Sequence, residues 1–110
     1  MASRPELSPN PVWLAIQAIP KGSTASYGQI ALRAGYPGRA RWVARVLASG
    51  SGPERLPWHR VVRSDGSIPF PPGSPEFEEQ VQRLRAEGVV VRNGRASADS
   101  RRGLDEAIWG

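Results

Sequence analysis

The amino-acid sequence predicts a mainly α-helical domain with a small β-hairpin, arranged as a winged helix-turn-helix. The first observation is a short capped helix, a glycine-containing turn and an arginine-bearing helix in succession within residues 26–48. The second is an extended segment and a turn sequence at residues 57–68. The third is a capped amphipathic helix that begins after Ser74. The length of 110 residues suits one domain, residues 1–110.

The first helix is predicted from Asn10, as the N-cap, and Pro11, as the first helical residue, through to Ile19. Pro20 ends it, because proline lacks the amide hydrogen that a helix interior requires. Trp13 and other apolar residues recur on one face, which indicates a helix that packs against the core.

The next two helices form the helix-turn-helix. Ser26 and Gln29 have the spacing of a capping box, in which each side chain bonds the other residue's backbone N–H. The glycine- and proline-containing segment 35–38 breaks this helix, and a further helix begins near Arg39 and runs to Ala48.

The arginine-bearing helix has two distinct faces. Val43, Val46 and Leu47 make an apolar stripe that is expected to face the core. Arg41 and Arg45, four residues apart, lie together on another face.

A hairpin and a closing helix are predicted after the loop at residues 49–53. Residues 61–62 and Ile68 would form the two strands of the hairpin, joined by the turn at residues 64–67. Ser74 then caps a helix that ends at Glu87-Gly88.

The remaining residues are predicted to contain little regular structure. A strand over residues 89–91 is closed by Asn93-Gly94, and residues 95–103 are interpreted as a loose polar connection. Residues 95–110 are thus treated as a tail, within which residues 104–109 could dock back onto the domain.

The composition excludes several kinds of chemistry. The chain has no cysteine, so disulfides, thiolate metal sites and a cysteine nucleophile are excluded. It has one histidine, which excludes a metal site with several histidines. We therefore expect no metal and no cofactor.

No apolar run could span a membrane and no signal pattern is present, so we expect a cytoplasmic protein that joins the nucleoid when bound to DNA.

The charge is distributed unevenly along the chain. Residues 1–63 contain nine lysine and arginine residues and two acidic residues, whereas residues 64–110 contain six arginines and eight acidic residues. A basic half next to a mildly acidic half indicates one face that binds a polyanion, and the clustering favours nucleic acid.

Residues 57–62 (Pro-Trp-His-Arg-Val-Val) carry the clearest functional signal. They resemble the Pro-Cys-His-Arg-Val active-site motif of the O6-alkylguanine-DNA alkyltransferases, with tryptophan in place of cysteine. That substitution is similar to the one in the alkyltransferase-like proteins, which bind the same lesions without removing them. Residues 26–31 resemble the family's first helix-turn-helix helix, residues 37–43 the start of its recognition helix, and residues 84–89 the end of its closing helix. The resemblance covers about residues 10–92, which are therefore the expected core of the domain.

The resemblance implies a non-enzymatic DNA-damage sensor. Such a protein enters the minor groove with its recognition helix and flips an O6-alkylguanine out of the duplex into a pocket at Trp58. The implied partners are double-stranded DNA containing O6-alkylguanine and the proteins of nucleotide-excision repair, and the protein is expected to act as a monomer with no membrane partner.

The resemblance also implies roles for individual residues. Tyr27 would crowd the phosphate beside the target nucleotide and help to turn it out, and Arg41 would fill the gap left in the base stack. Other implied or candidate DNA-binding residues are Ser23, Thr24, Ser26, Arg39 and Arg45, although the three hydroxyl side chains could equally serve as caps and turn residues.

A second group of residues would build the lesion pocket. The expected lining is Trp58, Tyr27, Leu47, Val61, Val62 and Phe70. His59 and Glu87 match the pair that activates the cysteine in the transferases; without that cysteine they are expected to brace the pocket as a hydrogen-bonded pair, and Arg60 to anchor the loop.

One feature departs from the family pattern. Alkyltransferase-like proteins often carry an arginine in the loop after the hairpin, where it touches the flipped base. The corresponding place here is Phe70-Pro71-Pro72, which has no cation. Arg63 is close in the sequence but is assigned to the hairpin. The preferred alkyl group therefore stays open.

Two alternative functions are compatible with parts of the sequence. His59 with Glu87 could activate a water molecule in a hydrolytic DNA-repair enzyme. The helix-turn-helix could belong to a sequence-specific regulator, although its second helix has no Asn or Gln to read base edges.

Overall fold

The computed structural model describes residues 7–50 and 52–100. Four helices dominate it: α1 (Pro9–Gln17), α2 (Tyr27–Arg33), α3 (Ala40–Ala48) and α4 (Pro75–Ala86). The strands are short: β1 (Ala25–Ser26), β2 (Val61–Val62), β3 (Val91–Arg92) and β4 (Arg95–Ala96), with one turn of 3-10 helix at Trp58–Arg60. The predicted mainly α-helical class with a small antiparallel hairpin is confirmed. None of the described helices is long and apolar enough to cross a membrane.

The helix caps follow local rules. Ser26 and Gln29 form the predicted capping box, with Gln29 N–H donating to Ser26 Oγ (3.1 Å) and Ser26 N–H donating to Gln29 Oε1 (2.8 Å). Helix α4 begins as predicted, because Ser74 Oγ accepts from the backbone N–H of Phe77 (3.2 Å) and Pro75 follows the cap.

The predicted bounds of the first helix are wrong by two residues at each end. Helix α1 begins at Pro9, after the N-cap Ser8, and not at Pro11. Both prolines fit the first turn, where the N–H groups have no partner inside the helix. The helix ends at Gln17 and not at Ile19, because the residue before Pro20 is disfavoured in the α conformation.

Two buried clusters meet along a short parallel strand pair. The first cluster lies among α1, α2 and α3 and includes Ile16, Ile30 and Val43. The second contains Val62 and Leu84 together with other residues of the C-terminal half. Strand β1 pairs with β2 in parallel, so that the helix-turn-helix half is fastened to the segment that carries Trp58.

The hairpin lies at a different place from the predicted one. Strands β3 and β4 form it, and its two turn residues, Asn93 (φ 52°) and Gly94 (φ 72°), have the positive φ that tight hairpin turns require. The turn predicted at residues 64–67 is present, closed by Arg63 N–H donating to Ser67 O (3.0 Å). Its return segment pairs with Arg95 and not with β2, and Pro69 lacks the N–H that would extend a ladder.

The predicted loose connection at residues 95–103 is wrong over the part that the structure describes. Strand β4 occupies Arg95–Ala96, and Ser100 is buried against Thr24, whose N–H donates to Ser100 O (2.8 Å). The docking expected for residues 104–109 lies outside the described residues.

Candidate nucleic-acid interface and base-binding cavity

A cavity of about 160 Å³ opens between the helix-turn-helix and the segment that carries Trp58. Its lining is mostly apolar and includes no charged side chain among the described residues. The lining residues are Tyr27, Ala44, Leu47, Ala48, Trp58, Val61, Pro69, Phe70 and Gln80. An apolar cavity with few polar groups is the usual form of a small-ligand site.

Five of the six predicted pocket residues meet at this cavity. Tyr27, Leu47, Trp58, Val61 and Phe70 all line it, from four separate parts of the chain. The sixth, Val62, does not. Its side chain is fully buried in the second core cluster, because successive residues of a strand point to opposite sides and Val61 already faces the cavity.

Trp58 is held between an aromatic ring and a cation. Its ring meets Phe70 edge to face, with the ring centroids 6.0 Å apart and an interplanar angle of 86°. The guanidinium carbon of Arg83 lies 5.6 Å from the Trp58 ring centroid. These contacts fix the orientation of an indole that is only half-buried.

The 3-10 turn that carries Trp58 is anchored through Glu87. Arg60 donates from Nε to Glu87 Oε1 (3.0 Å) and from an Nη atom to Oε2 (2.7 Å), and donates to Ile19 O (2.8 Å). His59 Nε2 lies 2.9 Å from Glu87 Oε2, and because a carboxylate only accepts, Nε2 carries the hydrogen. The predicted His59–Glu87 pair and the loop-anchoring bonds of Arg60 are therefore present.

The same contacts set the acidity of Glu87. The hydrogen bond from Arg60 is the largest cause that lowers its pKa, from the usual 4.5 to about 2, with a smaller contribution from His59. Partial burial opposes this shift without cancelling it. Glu87 is thus an anion at neutral pH and a weak base.

Gln80 is a residue of the cavity wall that the sequence analysis missed. It is fully buried on α4, and its side-chain amide donates both hydrogens, to His59 O (3.0 Å) and to Val61 O (2.8 Å). The amide therefore ties α4 to the turn that carries Trp58 and to the strand β2 that follows it. A signal was available: Gln80 is three residues after Phe77 and four before Leu84, so a polar residue interrupts an apolar helix face.

Gln80→Leu is expected to lower the free energy of unfolding by about 2 kcal/mol, because two buried carbonyls lose their donors. Since these carbonyls belong to the first and third residues after Trp58, we expect a further loss in the ratio of affinities for damaged and undamaged duplexes. Urea unfolding and DNA titration of the same preparation measure the two effects. Gln82→Leu, at an exposed position of the same helix, is the control; equal effects of the two substitutions would contradict the assigned contacts.

The arginines of α3 lie on its exposed side. Arg39, Arg41 and Arg45 are all exposed. Arg41 precedes Ala44 by three residues and Ala48 by seven, so it shares a helix face with two residues of the cavity wall.

The first turn of α3 has no acidic residue, and arginines stand at the positive end of its dipole. Cations at a helix N-terminus cost stability, and an anion such as a phosphate would offset that cost. The arrangement therefore fits a helix end that meets DNA.

Tyr27 lies at the start of α2 and on the wall of the cavity. Burial raises the pKa of its phenol, and the nearby positive charge of Arg63 opposes the rise in part. The phenol is therefore neutral at physiological pH and can donate a hydrogen bond, as its predicted contact with a phosphate requires.

Two candidate DNA-binding hydroxyls have structural positions instead. Thr24 is fully buried, and its Oγ1 lies 2.8 Å from Ser100 Oγ. Ser26 is buried, and its hydroxyl caps α2. Burial and existing bonds remove both from a DNA surface, so of the three hydroxyl residues only Ser23, which is half-buried, remains a candidate.

The comparisons with known proteins agree with this geometry. Residues 9–89 match the family model described as the DNA binding domain of 6-O-methylguanine DNA methyltransferase. The chain therefore belongs to that family of DNA-binding domains.

Two relatives in this family have names that distinguish them from the methyltransferases. A DNA base-flipping protein of Escherichia coli is 43% identical over 83 residues, which are 76% of this chain and 63% of that protein. Alkyltransferase-like protein 1 of Schizosaccharomyces pombe is 33% identical over 98 residues, 89% of this chain and 90% of that protein.

A solved structure extends the likeness to three dimensions. The crystal structure of S. pombe Atl1 in complex with damaged DNA containing O6-carboxymethylguanine matches with a TM-score of 0.69 and 33% identity, over 92% of this chain and 93% of that one. The fold and the position of the chain within the family are thus alkyltransferase-like.

Proposed function

We propose that this protein binds O6-alkylguanine in double-stranded DNA by flipping the damaged nucleotide into the Trp58 cavity, and that it leaves the alkyl group in place. The observation that carries the proposal is the position of the cavity. It is mostly apolar, Trp58 forms part of its wall, and α3 connects that wall to Arg41. Enzymes and binders that act on a single base take that base out of the stack.

The base-flipping relative and the Atl1 complex with damaged DNA support the binding step. Flipping costs a few kcal/mol and costs less for a poorly paired lesion. Selectivity for alkylated guanine then has two sources: the weakened pairing of the lesion and the burial of its alkyl group among Trp58, Phe70 and Leu47. Arg41 would offset the remaining cost by filling the gap in the base stack.

The chemistry available at the cavity supports binding without alkyl transfer. The chain has no cysteine, and the indole of Trp58 is a hydrogen-bond donor that cannot take up an alkyl group as a thiolate does. A water-activating role for His59 has little support, because its Nε2 is engaged by Glu87 and its Nδ1 is buried, where a water molecule to be activated has no access to it. Glu87 accepts two hydrogen bonds from Arg60 and has a pKa of about 2, so it is too weak a base to activate water at neutral pH.

A binder that leaves the lesion in place needs another protein to remove it. We infer that the bound complex passes the lesion to nucleotide-excision repair and that one copy of the chain acts at each lesion in the cytoplasm. Arg39, Arg41 and Arg45 are exposed at the start of α3 and along it, which supports a DNA-bound state in which this helix meets the duplex.

A competition titration tests the proposal. Duplexes that contain O6-methylguanine, a bulky O6-alkylguanine or unmodified guanine are compared at several salt concentrations. We expect the three to share one salt dependence, set by phosphate contacts, and the damaged duplexes to bind about tenfold more tightly at every salt concentration. Equal affinity for all three would overturn the binding step.

The same duplexes test the absence of catalysis. With a labelled methyl group on the guanine, all label is expected to stay on intact DNA after incubation with excess protein. Release of methyl, free base or a cut strand would show an enzyme, and label on the protein would show a transferase.

A further inference from the structure

Arg63 lies at the edge of the base-binding cavity. It follows β2, its side chain is exposed, and its guanidinium donates to the backbone oxygen of Pro69 (3.4 Å). Pro69 belongs to the cavity wall, and so does Tyr27, whose phenol is close enough to Arg63 for the two to interact electrostatically. The guanidinium therefore stands at the rim that Tyr27 and Pro69 form.

No neighbouring acid among the described residues neutralises Arg63. The acidic residue of the same turn is Asp65, and its two oxygens are already engaged: Oδ1 accepts from Ser67 N–H (2.9 Å) and Oδ2 pairs with Arg95 (3.4 Å). The guanidinium of Arg63 therefore gives the rim a positive charge. The interior is neutral, because the lining of the cavity includes no charged side chain among the described residues.

There is also room for a substituent beyond the rim. A second cavity, of about 640 Å³, shares Pro69 and Phe70 with the first, and its walls also include Arg63 and Phe77. A group that extends from a base held against Trp58 towards this space would therefore come near Arg63, which lines it.

We propose that Arg63 is a specificity-determining residue that selects O6 substituents ending in a carboxylate. The inference rests on the proposed function, because it takes the lesion to lie in the Trp58 cavity. The neutral walls receive the base and the first atoms of its substituent, and the guanidinium binds the terminal oxygens through charge-assisted hydrogen bonds. Because the arginine is exposed, its effect on affinity is modest, about two- to fivefold.

The test compares two adducts of nearly the same shape. O6-carboxymethylguanine ends in a carboxylate, and O6-carbamoylmethylguanine ends in a neutral amide. Each is placed in one duplex sequence and titrated with the wild-type protein, Arg63→Gln and Arg55→Gln. Arg55 is an exposed arginine that lines a different cavity, on the side of His59, so its substitution removes the same charge elsewhere.

We expect Arg63→Gln to lower the ratio of carboxymethyl to carbamoylmethyl affinity about two- to fivefold, and Arg55→Gln to leave it unchanged. Arg63→Lys is expected to keep most of the ratio, because the charge remains. If Arg63→Gln weakens both adducts and the unmodified duplex by one factor, Arg63 contacts a phosphate and the inference is overturned. If the wild-type protein distinguishes neither adduct from unmodified guanine, the proposed function itself fails.

Discussion

Glu87→Ala is expected to lower the free energy of unfolding by about 3 kcal/mol at pH 7, because removing one member of a mostly buried ion pair leaves the other charged and unpaired. The arginine concerned is Arg60, whose side chain is 16% exposed and that of Glu87 11%. His59 loses its acceptor as well. Urea unfolding of the two proteins measures the difference.

Glu79→Ala is the matched control on the same helix. Glu79 pairs with Arg83 at 2.7 Å, but both side chains are about half exposed. Pairs of this kind contribute roughly 0.3–0.5 kcal/mol. Losses of similar size from the two substitutions would mean that the Glu87 cluster does not hold the Trp58 turn.

The pH dependence of the free energy of unfolding is a second test of the contacts made by Glu87. Its pKa is about 2 in the folded chain and near the usual 4.5 when unfolded, so the folded state favours the ionised form. The resulting stabilisation is complete above about pH 4.5 and is lost as the pH falls towards 2. Between pH 5 and 2.5 the wild-type protein is expected to lose about 2 kcal/mol more than Glu87→Ala does. If the free energies of unfolding of the two proteins fall in parallel with pH, the lowered pKa of Glu87 is contradicted.

The sequence predicted the parts of the fold that depend on neighbouring residues. The capping box of Ser26 with Gln29 and the Ser74 cap each involve atoms only three residues apart, so the residue types determine the geometry. The turn at Asn93-Gly94 was visible for the same reason, although the strand after it was missed. Element bounds near prolines were less predictable, because a proline is compatible with several positions in a first helical turn.

Features that depend on distant parts of the chain were not predictable in this way. Strand β2 pairs with residues 25–26, which precede it by 36 positions in the register, and nothing local distinguishes that partner from the segment after the next turn. The same holds for Thr24, whose hydroxyl meets Ser100 across 76 residues. The sequence therefore placed Thr24, a polar residue in the basic half of the chain, among the surface candidates, whereas it is fully buried.

The site was predicted largely through its resemblance to a family. Residues 57–62 led to Trp58, His59 and Arg60, and the structure adds their geometry. Gln80 was missed because no motif includes it, and the exclusion of Val62 from the cavity depends on the direction of one strand. Arg63 was assigned to a hairpin that does not form there, and its place at the cavity rim depends on a contact with Pro69.

Arg41→Ala is expected to lower the ratio of affinities for damaged and undamaged duplexes about tenfold, because the gap left by the flipped base would be unfilled. Its position supports this result: it is exposed, and it lies on the same helix face as Ala44 and Ala48 of the cavity wall. An arginine that only met a phosphate would weaken damaged and undamaged duplexes alike. Tyr27→Ala is also expected to lower this ratio, since it removes both a side chain of the cavity wall and the phenol that is predicted to crowd the neighbouring phosphate.

Arg45→Ala, on the same helix, shows what the loss of an arginine that only contacts a phosphate looks like, and so distinguishes that role from insertion into the base stack. Arg45 is also exposed on α3, one turn after Arg41, and is expected to contact phosphate. Its removal should weaken all duplexes by one factor and reduce the slope of log affinity against log salt by about 1. Titration of damaged and undamaged duplexes at several salt concentrations distinguishes this loss from the selective loss of Arg41→Ala. If Arg41→Ala instead shows the uniform, salt-dependent loss, Arg41 is a phosphate contact and another side chain must enter the base stack.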